Sequence, residues 1–235
     1  ALFAVVALLA SSASAVTTFT FTHEFSGDTD PQGPFPWVTV TFADASPGIV
    51  AIRIDTTSLI GEEFLSELYL NLGPTFTVAD LRVTLDPSQG VGGKIGLFDT
   101  PDIQIAEDAY KADGDGYYDI WLDFGTYNPT TPDERFGVGT VETLFLLASG
   151  PGGLPMNGLT ASSFYSFSTP AGGHGPFLGA AHIQAIEDLE IGEGAELGGW
   201  IAVGDDDGGV IPFPEPATIS LLAIGGMALL LRKRT

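Results

Sequence analysis

Asp113, Asp115 and Asp119 are the residues whose types and spacing come nearest to doing chemistry. They stand in the run Asp113-Gly114-Asp115-Gly116-Tyr117-Tyr118-Asp119. Carboxylates at alternate positions, separated by glycines that let the backbone turn sharply, are the donor set of a calcium loop, since calcium takes roughly six to eight oxygens in flexible geometry. The helix-flanked form of that loop is excluded: Lys111 and Tyr117 stand where oxygen ligands belong, and Phe124 takes the place of the closing glutamate. Two readings stay open. One is a looser calcium loop between strands, with Asp108 or Asp123 as a further ligand. The other is a plain Asp-Gly hairpin turn, which needs the same residue types for its backbone.

The same segment continues into a second pattern. Asp119, Trp121 and Asp123 share one side of an alternating run. A tryptophan flanked by carboxylates has the composition of a sugar platform, in which the ring covers the apolar face of a pyranose and the acids accept from its hydroxyls. The plainer reading packs Trp121 under a neighbouring element and leaves the acids in solvent. Catalytic patterns are missing. The acid pairs Glu62-Glu63, Asp133-Glu134 and Glu187-Asp188 are adjacent rather than convergent, whereas glycoside hydrolysis needs two carboxyls facing one bond. His23, His174 and His182 are scattered, without the spacing of a zinc site. No serine sits in a nucleophile-elbow motif. Leu154-Pro155-Met156-Asn157-Gly158 reads as a turn. A non-enzymatic protein is expected.

The elements that must position these residues alternate with period two, as strands with one buried face do. Thr18–Thr22, Val38–Phe42 and Val50–Ile54 alternate cleanly. Leu68–Leu72, Leu81–Leu85, Tyr118–Phe124, Val141–Ala148, Phe164–Ser168, Ala181–Ile186 and Trp200–Val203 follow. Thr57 to Leu65 fits a single helical turn with Glu62 and Glu63 near its start. About ten strands separated by Gly, Pro and Asp turns predict an all-β fold, an antiparallel β-sandwich of jelly-roll-like type in one domain over residues 16–203. One-sided alternation argues against a parallel sheet.

Composition sets the class of partner. All 30 acidic residues lie between Glu24 and Glu215, alongside only Arg53, Arg82, Lys94, Lys111 and Arg135, a net of −25 over that span. A phosphate backbone needs a basic surface, so nucleic acid is excluded as a partner. Divalent cations are favoured instead. The chain has no cysteine, and its body is large enough to bury a core without disulfides. Few lysines guard its strand edges, which leaves open a self-assembling filament or surface-layer subunit.

The two ends are of another kind. Leu2–Ala10 is an apolar run and Ala13-Ser14-Ala15 a small-residue cleavage site, so residues 1–15 read as a secretory leader, truncated at its start, with the mature chain beginning near Val16. Residues 204–216 combine Gly, Asp and Pro as a stalk. Ala217 to Leu231 then runs without a charge, about 22 Å long as a helix, short of the ~30 Å hydrocarbon core. Residues 232–235 carry Arg232, Lys233 and Arg234, which would stay cytoplasmic and place the body outside.

Pro214-Glu215-Pro216, the short apolar segment and the basic terminus together resemble the C-terminal signal of the PEP-CTERM family, secreted bacterial envelope proteins. Within the body, Pro36-Trp37, Glu63-Phe64 with Tyr69-Leu70-Asn71-Leu72, the Asp113–Ile120 run, Arg135-Phe136-Gly137, Leu159–Phe164 and Gly175-Pro176-Phe177 with Ala180–Gln184 resemble one subgroup of that family. The resemblance implies that exosortase recognises Pro214, Glu215 and Pro216, and that the 217–231 segment is a transient inner-membrane anchor. It also implies a mature protein at the outer surface or in the matrix, associated with exopolysaccharide, and assigns that subgroup no biochemical activity.

Overall fold

Alternation of apolar and polar residues produces twelve strands among the described residues of the computed structural model. These residues are 14–27, 29–88, 91–93, 100–113, 116–126, 135–137, 141–187 and 196–203. The strands are β1 (Val16–Ser26), β2 (Val38–Ser46), β3 (Ile49–Asp55), β4 (Phe64–Leu70), β5 (Arg82–Leu85), β6 (Val91–Gly93), β7 (Asp102–Ala112), β8 (Gly116–Asp123), β9 (Val141–Ser149), β10 (Thr169–Pro170), β11 (Gly179–Glu187) and β12 (Glu196–Val203). Every pairing is antiparallel, and the only helical pieces described are short 3-10 turns. The all-β, antiparallel expectation is met. Residues 1–13 of the leader, the stalk, the 217–231 segment and the basic terminus lie outside the described residues, as does Asp115, whereas Ser14 and Ala15 are described and hydrogen-bond to Asp44. No described helix is long and apolar enough to cross a membrane.

One ladder runs β10-β8-β4-β11-β12-β1-β2-β3-β9-β5, with β7 added to β8 and β6 to β9. Laid flat at ~4.8 Å per strand, its ten strands would span about 43 Å. Yet Val83 on β5 and Leu122 on β8, near opposite ends, belong to one hydrophobic cluster with Phe19, Phe42, Ile52 and Ile201. Strand β7 also lies against β5 and the 3-10 turn Val78–Asp80. The sheet therefore bends around a shared interior.

Bulges supply the bending, since an extra residue kinks a strand and raises its twist. The register slips on β7 between Ile105 and Tyr110 and on β11 between Ile183 and Ile186. Asp108 and Ala185, the two non-glycine residues with positive φ among the described residues, sit in those slips. At the β2–β3 turn Gly48 has φ 78, and a Cβ there would stand 2.6 Å from the carbonyl of Met156, whose amide donates to the Gly48 carbonyl at 2.8 Å. Only glycine permits that approach.

Two local expectations are corrected, and one strand is added. Residues 57–63 form reverse turns rather than a helical turn, because Glu63, 2% exposed, accepts the amides of Ile60 at 3.0 Å and Gln32 at 2.6 Å and so ties two loops together. Phe164–Ser168 is no strand: Ala161–Phe164 is a 3-10 turn whose Phe164 stacks on Phe42 at 4.5 Å in the core. Finally β7, at 11 residues as long as any strand, was missed because Glu107, Ala109, Lys111 and Ala112 weaken its strand signature.

Candidate functional site

Alternation fixes what the outer face of this half of the sheet carries. Leu68, Leu70, Ile120, Leu122, Ala181, Ile183, Ile201 and Val203 point into the main core. Their neighbours Glu67, Tyr69, Trp121, Asp123, Ala180, His182, Trp200 and Ala202 therefore face outward. Register aligns them in two rows across the strands. Asp102 stands opposite Asp123, Asp123 opposite Glu67, Glu67 opposite His182, His182 opposite Trp200 and Trp200 opposite Ser26. In the second row Gln104 faces Trp121, Trp121 faces Tyr69, and Ala180 and Ala202 continue to His23.

The rings form a ladder. Tyr69 and Trp121 stack at 6.3 Å and 17°, Tyr69 lies 5.8 Å from Trp200, and His182 stacks on Trp200 at 4.5 Å and 5°. Buried Ala180 and Ala202 leave the floor on which these wide rings lie. Gly198 makes room for the imidazole: a Cβ there would stand 2.9 Å from His182 Nε2. Phe25 and Phe177 extend the cluster, with His174 on Phe25 at 5.7 Å and His23 on Phe177 at 5.8 Å. All three histidines thus border one aromatic face. Trp121, Trp200 and His182 remain partly open to solvent, and Tyr69 is covered.

The electrostatics are one-sided. Burial pushes the Glu67 carboxyl above its ordinary range, the Tyr69 hydroxyl that donates to Glu67 Oε2 at 3.0 Å pulls it back, and Asp123 pushes it further up. Burial, and then Asp102, raise Asp123. Burial lowers His182 against an opposing pull from Asp113, which favours the uncharged imidazole. The described Lys and Arg side chains are engaged elsewhere: Arg53 with Asp55, Arg135 with Glu62 at 2.6 Å, Arg82 with the carbonyls of Ala79 and Leu81, and Lys111 over the Tyr117 ring. Trp121 adds a buried Nε1–H without a hydrogen-bond partner.

A folded-state carboxyl raised above its unfolded value binds its proton more tightly when folded. Stability is therefore highest below the unfolded value and falls as pH rises through the folded one. For Glu67 that window opens at 4.5. Thermal unfolding from mildly acidic to neutral pH should show Tm falling with pH, and Glu67→Gln should flatten that slope. An unchanged slope in the variant would count against the burial of Glu67 as its cause.

The other sequence candidates are placed as follows. Asp119 does not reach solvent. It is 6% exposed, accepts the amides of Asp108 at 2.9 Å and Leu72 at 3.0 Å, one on each oxygen, and its own amide donates to Asn71 Oδ1 at 3.2 Å. It clamps the β7 bulge to β8. Asp113 is exposed and accepts from the Ser26 hydroxyl at 2.5 Å. Asp113 and Asp119 thus serve separate contacts, and the described residues hold no group of three or more metal-binding side chains. Trp121 and Asp123 do share the outer face. Sequence reading missed their partners Glu67, Tyr69, His182 and Trp200, whose alternation marks the face of each strand but not the strand beside it. Asp133, Glu134 and Asp188 lie outside the described residues.

No family model, no curated protein and no solved structure matches this chain. The chemistry rests on the face itself. Flat rings offer apolar contact, and the neighbouring carboxylates accept hydrogen bonds.

Proposed function

We propose that this chain is an exported, non-enzymatic saccharide-binding protein of a bacterial envelope or extracellular matrix. The observation that carries the reading is the outer-face ladder of Trp121, Tyr69, Trp200 and His182 with Glu67 and Asp123 beside it. Exopolysaccharide is the partner that fits both this face and the address. The leader and the PEP-CTERM-like terminus support the address: Pro214, Glu215 and Pro216 serve as the exosortase signal, residues 217–231 as the transient anchor, and Arg232, Lys233 and Arg234 as the cytoplasmic stop. A bent sheet closing on one core supports a two-layered, jelly-roll-like sandwich, which would present the ladder on the outside of one layer.

Aromatic anchors carry a disproportionate part of binding energy. Trp121→Ala and Trp200→Ala should each weaken binding of oligosaccharides, or of exopolysaccharide from the native host, by about tenfold, equivalent to ~1.4 kcal/mol. Titration calorimetry on folded variants checks this. Wild-type affinity in both variants would sink the proposal.

A further inference from the structure

We infer that Asn157 is a self-modifying site: its side chain closes on the amide nitrogen of Gly158 and converts, without an enzyme, to aspartate and isoaspartate.

The chemistry asks three things of an asparagine. The next residue must carry an N–H, that nitrogen must be unhindered, and the side-chain amide must be free to swing over it. The chain has three asparagines, Asn71, Asn128 and Asn157, and they differ on these points. Pro129 follows Asn128 and has no N–H to attack with. Asn71 precedes the buried, branched Leu72, is itself 3% exposed, and its Oδ1 holds the amide of Asp119 at 3.2 Å. Asn157 precedes Gly158, which has no side chain to block the approach. Both residues are exposed, and a Cβ on Gly158 would meet nothing within 4 Å. No hydrogen bond among the described residues holds the Asn157 side chain.

The backbone here is a turn closed by one bond, from the Leu159 amide to the Met156 carbonyl at 3.1 Å, with Gly158 at φ 79 in the third position. Ring closure swings the Asn157–Gly158 peptide and breaks that bond, and an exposed loop tip opens at little cost. The Gly158 nitrogen, its proton lost to solvent base, attacks Asn157 Cγ. A C–N bond forms, the Cγ–Nδ2 bond breaks, and ammonia leaves. Water then adds to either carbonyl of the cyclic imide. One opening gives aspartate; the other gives isoaspartate, whose backbone runs through the side chain and is a methylene longer. Solvent supplies every reactant. The product places a negative charge between two fixed points, the Met156 amide on the Gly48 carbonyl at 2.8 Å and buried Leu159. The change therefore acts on the tie between the β2–β3 turn and the core.

The test ages the purified full chain in warm, mildly alkaline buffer and maps its peptides by mass spectrometry, with fragmentation that separates isoaspartate from aspartate. Asn157 should convert at least about tenfold faster than Asn71 or Asn128, a barrier difference of ~1.4 kcal/mol. Isoaspartate should be among its products, and the rate should rise with pH. Asn157→Gln, whose longer side chain closes a larger ring more slowly, should leave position 157 unmodified over the same period. The aged parent chain decides the matter alone if that variant does not fold. An Asn157 that stays intact in the full chain overturns the inference, even where a synthetic peptide of residues 153–161 converts, because the folded turn then protects it. Conversion to aspartate without isoaspartate, or conversion of all three asparagines at one rate, overturns it as well.

Discussion

Asp119→Ala should destabilise the protein by about 2–4 kcal/mol, with a fall in Tm of roughly 5–15 °C for a body of this size. Two amides, those of Asp108 and Leu72, lose their acceptors together. Each buried N–H left without a partner costs about 1–3 kcal/mol. The carboxylate is itself expensive to bury: desolvation raises its pKa, the two amide bonds draw it down, and Asp108 and Glu107 push it up again. Removing it returns part of that cost, so the expected loss lies below the sum of two orphaned amides. Denaturant unfolding measures it. Asp119→Asn, which keeps one acceptor, should fall between the parent and the alanine variant. The difference should be the same with and without calcium, because both Asp119 oxygens already serve the backbone. A loss under about 1 kcal/mol, or one that appears only when calcium is present, would refute the clamp.

Phe42→Ala should cost about 3–5 kcal/mol. The ring is fully buried, edge-on to Phe19 at 5.1 Å and stacked on Phe164 at 4.5 Å and 15°. Phe164 belongs to the Ala161–Phe164 turn, which a bond from the Ala161 amide to Asp44 Oδ1 at 2.7 Å also fastens to β2. Losing the ring opens a cavity beneath that turn. Amide exchange should therefore quicken at residues 161–164 more than along β4. Phe42→Leu keeps most of the volume and should cost less than about 1.5 kcal/mol. Equal stability of the alanine variant and the parent would mean that the stack is not part of the core.

The legible part of this fold is the part written in period two. Phe19 and Phe21, Val38 to Phe42, and Val50 to Ile54 each announce a buried face, and each is a strand with that face inward. The 161–164 turn escaped because Phe164 is apolar whether it lies in a strand or plugs a core from a loop. Strand β7 escaped because it is an edge whose outward residues are charged and whose pattern breaks at Asp108. At the site, Trp121 and Asp123 were legible since both lie on one strand. Glu67, Tyr69, His182 and Trp200 were not, because pairing between strands far apart in sequence is a property of the closed fold. Asp119 shows the limit of residue-type reasoning: the run that resembled an ion-binding loop contains a carboxylate whose oxygens belong to two backbone amides.

The placement of β12 between β11 and β1 has a consequence for biogenesis. Without residues 196–203, β4, β8 and β11 make one fragment and β1, β2, β3 and β9 another, with no ladder joining them. The last of the described strands is the keystone. On the proposed export route, a polypeptide threaded outward from its amino end would stay open and pliable until that late segment emerged, and would lock only then.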